Sequence, residues 1–227
     1  PPMFQSPIHK LHIAAGATMT TGEFETPAEF TSATAEADAA RTTAAVFDRS
    51  HVGRIRIRGR GAWKLLNELS PDNLATLDDN RTLQTTLGEF SVRVVRLEKF
   101  WVVLTAPADR AAVLDALTQA IGEFDAKVDD QTTKTVLFAL VGPAAQTRLA
   151  SVLPFDLSGL EDGDVKTGSM FIANYIAIRH NVGGLWAMGI MLPTMLAGKA
   201  WQFATQKAGD NAFTPAGETA WASLTAE

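Results

Sequence analysis

The chain contains no cysteine among its 227 residues. Disulfides, thiolate zinc sites and cysteine nucleophiles are therefore excluded together, and the redox compartment is left undetermined. An excess of positive charge is also missing: 20 Lys and Arg stand against 25 Asp and Glu, for a formal net charge of −5. Nucleic-acid binders usually carry a strongly basic face, so no such partner is expected. Histidine occurs only four times, and His9, His12, His51 and His180 form no i, i+4 pair or other ligand spacing; no metal site is expected. The opening "PPMFQSPIHKLH" lacks the positive start and apolar centre of a secretory signal, which makes a cytoplasmic location the default. One uncharged run, "NVGGLWAMGIMLPTMLAG" from Asn181 to Gly198, approaches the length of a membrane span. Its four glycines and its proline favour a buried strand, a loop and a helix start, so no transmembrane segment is expected.

What is present fits a globular protein. Hydrophobic residues make up 46% and charged residues 20% of the chain, enough to bury a substantial core in one large domain or two small ones. Residues 1–34 are rich in Thr, Gly and Pro without periodicity and read as an extended segment laid over the domain. "TAEADAARTTAA", Thr34 to Ala45, has the composition of a short helix. In "RIRIR" the period is two, so Ile55 and Ile57 face a core while Arg54, Arg56 and Arg58 face the other side. "GAWKLLNELS" puts Trp63, Leu66 and Leu69 at helical spacing, with Pro71 as the stop. "EFSVRVVRL" and "KFWVVLTA" read as strands meeting at a turn near Glu98 and Lys99. "DRAAVLDALTQAIGEF" is an amphipathic helix with Val113, Leu117, Ala120 and Ile121 on one face.

The second half repeats this programme. An offset of 83 residues brings Gly59, Ala62, Leu66, Pro71, Leu74 and Leu77 onto Gly142, Ala145, Leu149, Pro154, Leu157 and Leu160. That exceeds the roughly one or two identities expected by chance and indicates a duplicated unit. Arg96 and Arg179 keep the offset, and Trp101 with Trp186 and Pro107 with Pro193 match after small insertions. A ligand seam between two such halves is the natural expectation.

Several clusters could carry chemistry. Asp48, Ser50 and His51 in "FDRSH" are the residue types of a nucleophilic triad, but close neighbours on one loop point in different directions. They read instead as a turn in which Asp48 and Ser50 hold backbone N–H groups and His51 packs or bonds locally. The stripe of Arg54, Arg56, Arg58 and Arg60 is either a solvated strand face that discourages edge pairing or a grip for an anion, the former being the commoner case. "RGRG" lacks the spacing and lysine of a phosphate loop. Asp78–Asp79 and Asp129–Asp130 read as solvated carboxylates in polar turns. Trp101 and Trp186 read first as core residues and second as stacking platforms for a flat ring.

Three stretches carry a family resemblance: "LHIAAGATMTTGEFETPAEF", "EADAARTTAAVFDRSHVGRIRIRG" and "ALVGPAAQTRL". Together they resemble the glycine cleavage system T-protein (aminomethyltransferase) family, whose N-terminal part is a duplicated folate-binding domain. The resemblance implies an α+β fold, duplicated and pseudo-symmetric, with antiparallel sheets and packed helices. Residues 1–45 would form an N-terminal segment and short helix, 46–128 the first repeat and 129–227 the second. The implied ligand is tetrahydrofolate or a related reduced pterin, and the implied chemistry is aminomethyl or methyl transfer.

The departures bear on that chemistry. "QTTLGEFSVRVVRL" has no aspartate where the family carries its catalytic acid, and Gln84 stands for a tyrosine just upstream. Leu185 replaces a pterin-reading glutamate, and Trp221 stands at the place of a folate-facing arginine. A carboxylate bonds the donor edge of a pterin in a way leucine cannot. Within the resemblance, Gln84, Arg179 and Asn181 are nominated as replacement polar contacts and Trp101 and Trp186 as walls of the site; no catalytic residue is nominated. The family's C-terminal barrel is absent from the sequence, so a protein partner covering an open site is expected. The alternative is a non-catalytic subunit or scaffold of a heteromeric complex. A cluster-repair branch that depends on cysteine is disfavoured by composition.

Overall fold

The computed structural model describes residues 4–151, 156–170 and 173–226. The chain opens with β1 (Phe4–Gln5), α1 (His9–Ala14), β2 (Thr18–Met19), β3 (Phe24–Glu25), β4 (Pro27–Glu29), α2 (Ala33–Thr42) and β5 (Ala45–Asp48). It continues through β6 (Gly53–Arg58), α3 (Ala62–Leu69), β7 (Arg81–Leu87), β8 (Phe90–Arg96), β9 (Trp101–Thr105), α4 (Arg110–Ala120) and β10 (Lys127–Asp130). Then come β11 (Thr135–Val141), α5 (Ala145–Ala150), β12 (Val165–Met170), β13 (Ala173–Val182), β14 (Leu185–Pro193), α6 (Ala197–Gln202), β15 (Thr214–Ala216) and α7 (Glu218–Thr225). These elements form two compact units, one of residues 52–134 with 163–166 and the other of residues 1–51, 135–162 and 167–227.

The smaller unit is built on a five-stranded antiparallel sheet in the order β10-β6-β9-β8-β7. Alternation in β6 sends Ile55 and Ile57 into a core completed by Leu65 and Leu66 of α3 and Val113 and Leu117 of α4. The apolar face of α3 is rotated from the sequence expectation: Ala62, Leu65 and Leu66 are buried, whereas Trp63 is 38% exposed. The arginine stripe also departs from a solvated face. Arg54 is fully buried, donating its guanidinium to the carbonyls of Val52 and Thr132. The cause is the segment after β10, which folds back over this end of the strand. Arg56 pairs with Asp129 at 2.9 Å, while Arg58 is exposed and Arg60 is 97% exposed beside Asp125. Asp129 and Asp130 thus belong to a strand, β10, and not to a polar turn.

The larger unit carries a six-stranded sheet in the order β12-β13-β14-β11-β5-β15, with apolar clusters on both faces. Phe138, Leu140, Ile190, Leu192 and Trp201 pack in one cluster, and Phe47, Val141, Ala187, Ala220 and Leu224 in the other. The N-terminal segment is more ordered than its composition indicates. It holds α1 and small sheets β1-β3 and β2-β4, and its His12 is completely buried. Glu36 of α2 is also buried; its carboxylate accepts the N–H groups of Phe30 at 2.6 Å, Thr31 at 2.8 Å and Gly217 at 2.8 Å. Three charge-assisted bonds offset the desolvation of one carboxylate and fix the ends of α2 and α7.

The two halves follow one plan. The strands β6-β9-β8-β7 and β11-β14-β13-β12 occupy the same order, and the leading strands β10 and β5 pair beside β6 and β11. Gly59 and Gly142 both take left-handed φ, +109° and +132°, and a Cβ would meet the Asp125 carbonyl at 2.2 Å or the Thr43 carbonyl at 2.4 Å. Only glycine fits such a corner. Ala62 with Ala145, Leu66 with Leu149 and Leu74 with Leu157 are buried pairwise, while Pro154 lies outside the described residues. β13 and β14 are joined by Gly183 and Gly184 at φ 52° and 71°, the paired positive angles of a tight hairpin turn. The run from Asn181 is therefore strand end, turn, strand and helix start, and no helix among the described residues is long and apolar enough to cross a membrane.

Candidate functional site

The "FDRSH" turn is a buried polar centre in the larger unit. Asp48 Oδ1 accepts the Ser50 N–H at 3.0 Å and the Ser50 hydroxyl. Its Oδ2 accepts the Ser6 hydroxyl and lies 2.8 Å from His12 Nε2. Burial alone pushes the Asp48 carboxyl up, but the bond and charge of His12 and the bonds from Ser50 and Ser6 outweigh it and hold the group below its ordinary value. Ser50 Oγ also accepts the N–H of Leu137 at 3.2 Å. With every hydroxyl engaged structurally, Ser50 is not poised as a nucleophile. The local reading of Asp48 and Ser50 is met; His12 and Ser6, far away in sequence, complete the centre. Both stretches, "LH" and "FDRSH", were among those carrying the family resemblance, which is the signal that could have joined them.

Next to this turn lies a second cluster. One guanidinium nitrogen of Arg49 bonds both carboxylate oxygens of Glu218, His51 Nε2 stands 3.6 Å from the same carboxylate, and the Arg49 guanidinium lies 4.2 Å over the Trp221 ring. Burial pushes the Glu218 carboxyl above its ordinary value, with Asp48 adding to the effect and Arg49 opposing it. Trp221 meets Phe47 edge-to-face at 5.1 Å and packs with Leu185 against the same apolar cluster. Thus the two positions at which the resemblance implies a glutamate and an arginine hold leucine and tryptophan, both packed against one apolar cluster. Arg49 and Glu218 carried no distinctive spacing in the sequence.

Of the nominated contacts, three come together. Arg179 Nη2 donates to Asn181 Oδ1 at 2.9 Å, the Arg179 guanidinium lies 5.1 Å over Trp186, and Asp162 Oδ1 accepts the Asn181 N–H at 2.9 Å. Strand alternation places Asn181 opposite Trp186, and Val182 opposite Leu185, on opposite faces of the hairpin. Asn181 is exposed, and its side-chain nitrogen donates to no described residue. Gln84 is on β7 of the smaller unit, exposed and bonded to Ser91 Oγ at 3.0 Å. Trp101, on β9 of that unit, is 7% exposed and sits under Arg96 at 5.4 Å, so packing dominates there. Among the described residues no group of three or more His, Asp or Glu could hold a metal ion.

Comparison with known proteins agrees with this architecture. Two curated aminomethyltransferases are similar: that of Streptomyces avermitilis is 31% identical over 91% of this chain and 58% of its own length, and that of Saccharopolyspora erythraea 29% identical over 94% and 60%. The chain therefore spans about three fifths of those relatives. The crystal structure of glycine cleavage system aminomethyltransferase T from Bartonella henselae superposes with a TM-score of 0.87 at 22% identity, covering 98% of this chain and 62% of that one. A chain of the heterotetrameric sarcosine oxidase from Corynebacterium sp. U-96 shares the fold more loosely, with a TM-score of 0.57 at 16% identity, over 86% of this chain and 90% of that one. The family profile described as the GCVT N-terminal domain matches residues 8–227, and the chain belongs to that family.

Proposed function

We propose that this chain binds a reduced folate or a related reduced pterin as a one-carbon carrier, in chemistry of the aminomethyl- or methyl-transfer type. The observation that carries the reading is the group formed by Arg179, Asn181 and Trp186. Arg179 holds the Asn181 carbonyl, which leaves the two amide hydrogens of an exposed side chain for a ligand acceptor. A fixed cation and an indole edge beside that amide match a flat, carbonyl-bearing heterocycle. Gln84 and Trp101, in the other unit, are nominated on the sequence alone and answer to the same measurement. The division into a lead-in of residues 1–45 and repeats of 46–128 and 129–227 belongs to this proposal, as do a cytoplasmic setting and a protein partner. No residue is assigned as catalytic acid, because the strand pair following Gln84 offers no aspartate.

A second reading is a non-catalytic subunit of a heteromeric complex. It is favoured by the packing of Leu185 and Trp221 against one apolar cluster and by the saturation of Glu218 by Arg49. Thermal melting separates the two. Tetrahydrofolate at about 100 times its dissociation constant stabilises a native state by about 2.7 kcal/mol, which for a chain of this size raises the melting temperature by roughly 5–10 °C. The Asn181→Ala and Gln84→Ala variants are expected to melt normally without ligand and to lose the rise. Absence of any shift with reduced folates at millimolar concentration favours the subunit reading.

A further inference from the structure

At the far end of β13 and β14 from Asn181, the larger unit carries a partly open cavity of about 680 Å³, within the size range of small-molecule sites. Phe138, Leu140, Ile190, Leu192 and Phe213 form its walls among the described residues. The void has a sequence origin: Ala200, Ala204 and Ala208 line it at four-residue intervals along α6 and its continuation, where larger side chains would fill the space. That continuation, Phe203–Lys207, is a π-helical turn, a widened geometry often found at functional sites. Lys199 and Lys207 also line the cavity, flanking Phe203, which is 44% exposed. Both lysines are exposed and neither is ion-paired to a described residue, in a protein whose net charge is −5.

We propose that this cavity binds the alkyl chain of a long-chain carboxylate, of the fatty-acid class, with the anionic head held by Lys199 and Lys207. The apolar walls select a flexible hydrocarbon, since they offer few hydrogen-bonding groups to a polar ring. The two cations select a negative head over a neutral or positive one. None of the residues nominated for the pterin lines this cavity, so the proposal stands apart from that reading.

The test is calorimetric titration of the full chain with dodecanoate, octanoate, methyl dodecanoate and dodecyltrimethylammonium. Saturable binding of dodecanoate is expected, about tenfold or more tighter than octanoate because each buried methylene contributes. The ester and the ammonium should bind at least about tenfold more weakly. The double variant Lys199→Glu/Lys207→Glu should lose about tenfold or more for dodecanoate, and Ala204→Phe should abolish binding; Ala200→Leu serves as a second filling variant if the first melts early. No saturable binding, equal binding of the carboxylate and the ammonium, or unchanged binding in a folded filling variant would overturn the proposal. So would self-association of the chain that dodecanoate does not affect and that Lys199→Glu/Lys207→Glu abolishes, which would assign the face to a second copy.

Discussion

The turn after β5 and the turn after β10 are built alike. In one, Asp48 accepts the Ser50 N–H at 3.0 Å and Ser50 Oγ accepts the Leu137 N–H at 3.2 Å. In the other, Asp130 accepts the Thr132 N–H at 2.9 Å and Thr132 Oγ1 accepts the Arg54 N–H at 3.0 Å. Their surroundings differ: Asp48 is buried with His12 and Ser6, whereas Asp130 is half-buried and faces Arg110 at 3.8 Å. A second pair repeats the lesson. Arg96 lies over Trp101 and bonds Asp79 at 2.7 Å, and Arg179 lies over Trp186 with Asp162 at 3.9 Å, the aspartates keeping the same 83-residue offset as the arginines. Features present in both halves form the duplicated frame, and in the second half the Arg179–Trp186 contact of that frame holds Asn181 in place. What one half adds, Asn181 above all, is where specificity is to be sought.

The largest effect expected from this comparison is at the paired aspartates. Asp48→Ala strands His12, Ser6 and Ser50 in the core and should cost about 3–5 kcal/mol in urea unfolding; Asp130→Ala, at a partly hydrated turn, should cost about 1 kcal/mol. Equal costs would break the distinction between a buried centre and a scaffold turn. The same pair predicts a pH signature. Asp48 has a folded-state pKa below its unfolded value near 3.8, so its contribution is complete above that pH and is lost as pH falls through the folded value. Acid unfolding of the Asp48→Asn variant should accordingly show a shallower decline below about pH 4 than the parent chain.

Next come the corner glycines. Gly59→Ala and Gly142→Ala each force a Cβ onto a carbonyl at left-handed φ and should each cost about 3 kcal/mol, whereas Gly88→Ala, with open space around it at φ +59°, should cost about 1 kcal/mol. A cheap substitution at only one of the two corners would argue against an equivalent fold in both halves. Smaller again are Arg96→Ala and Arg179→Ala, about 1 kcal/mol each from the lost ring contact and ion pair. Arg60→Ala, at a fully hydrated pair, should change stability by less than about 0.5 kcal/mol.

Periodicity made the sheet strands readable: Ile55 and Ile57 are where alternation puts them, and the two glycines after Val182 announce their hairpin. The repeat was readable from identities at one offset because corner glycines and buried leucines tolerate few substitutes. Arg54 was not, since alternation tells which face a side chain takes and not whether another segment covers that face. His12 and Asp48 were separated by 36 positions, and only their meeting in three dimensions makes either chemically interesting. The alanine-lined cavity was invisible for the same reason, as alanine at helical spacing marks a packed helix as readily as an emptied one. Of the nominated contacts, Arg179, Asn181 and Trp186 are neighbours through the register of a single hairpin, while Gln84 and Trp101 belong to the other unit.

The most direct test of the central reading is a calorimetric titration of tetrahydrofolate into the parent chain, Asn181→Ala and Arg96→Ala. Saturable binding to the parent is expected, with about tenfold or greater weakening in Asn181→Ala and unchanged affinity in Arg96→Ala, whose contacts serve the scaffold. No saturable heat with the parent chain at millimolar ligand, or equal affinity in the parent and Asn181→Ala, would contradict that reading.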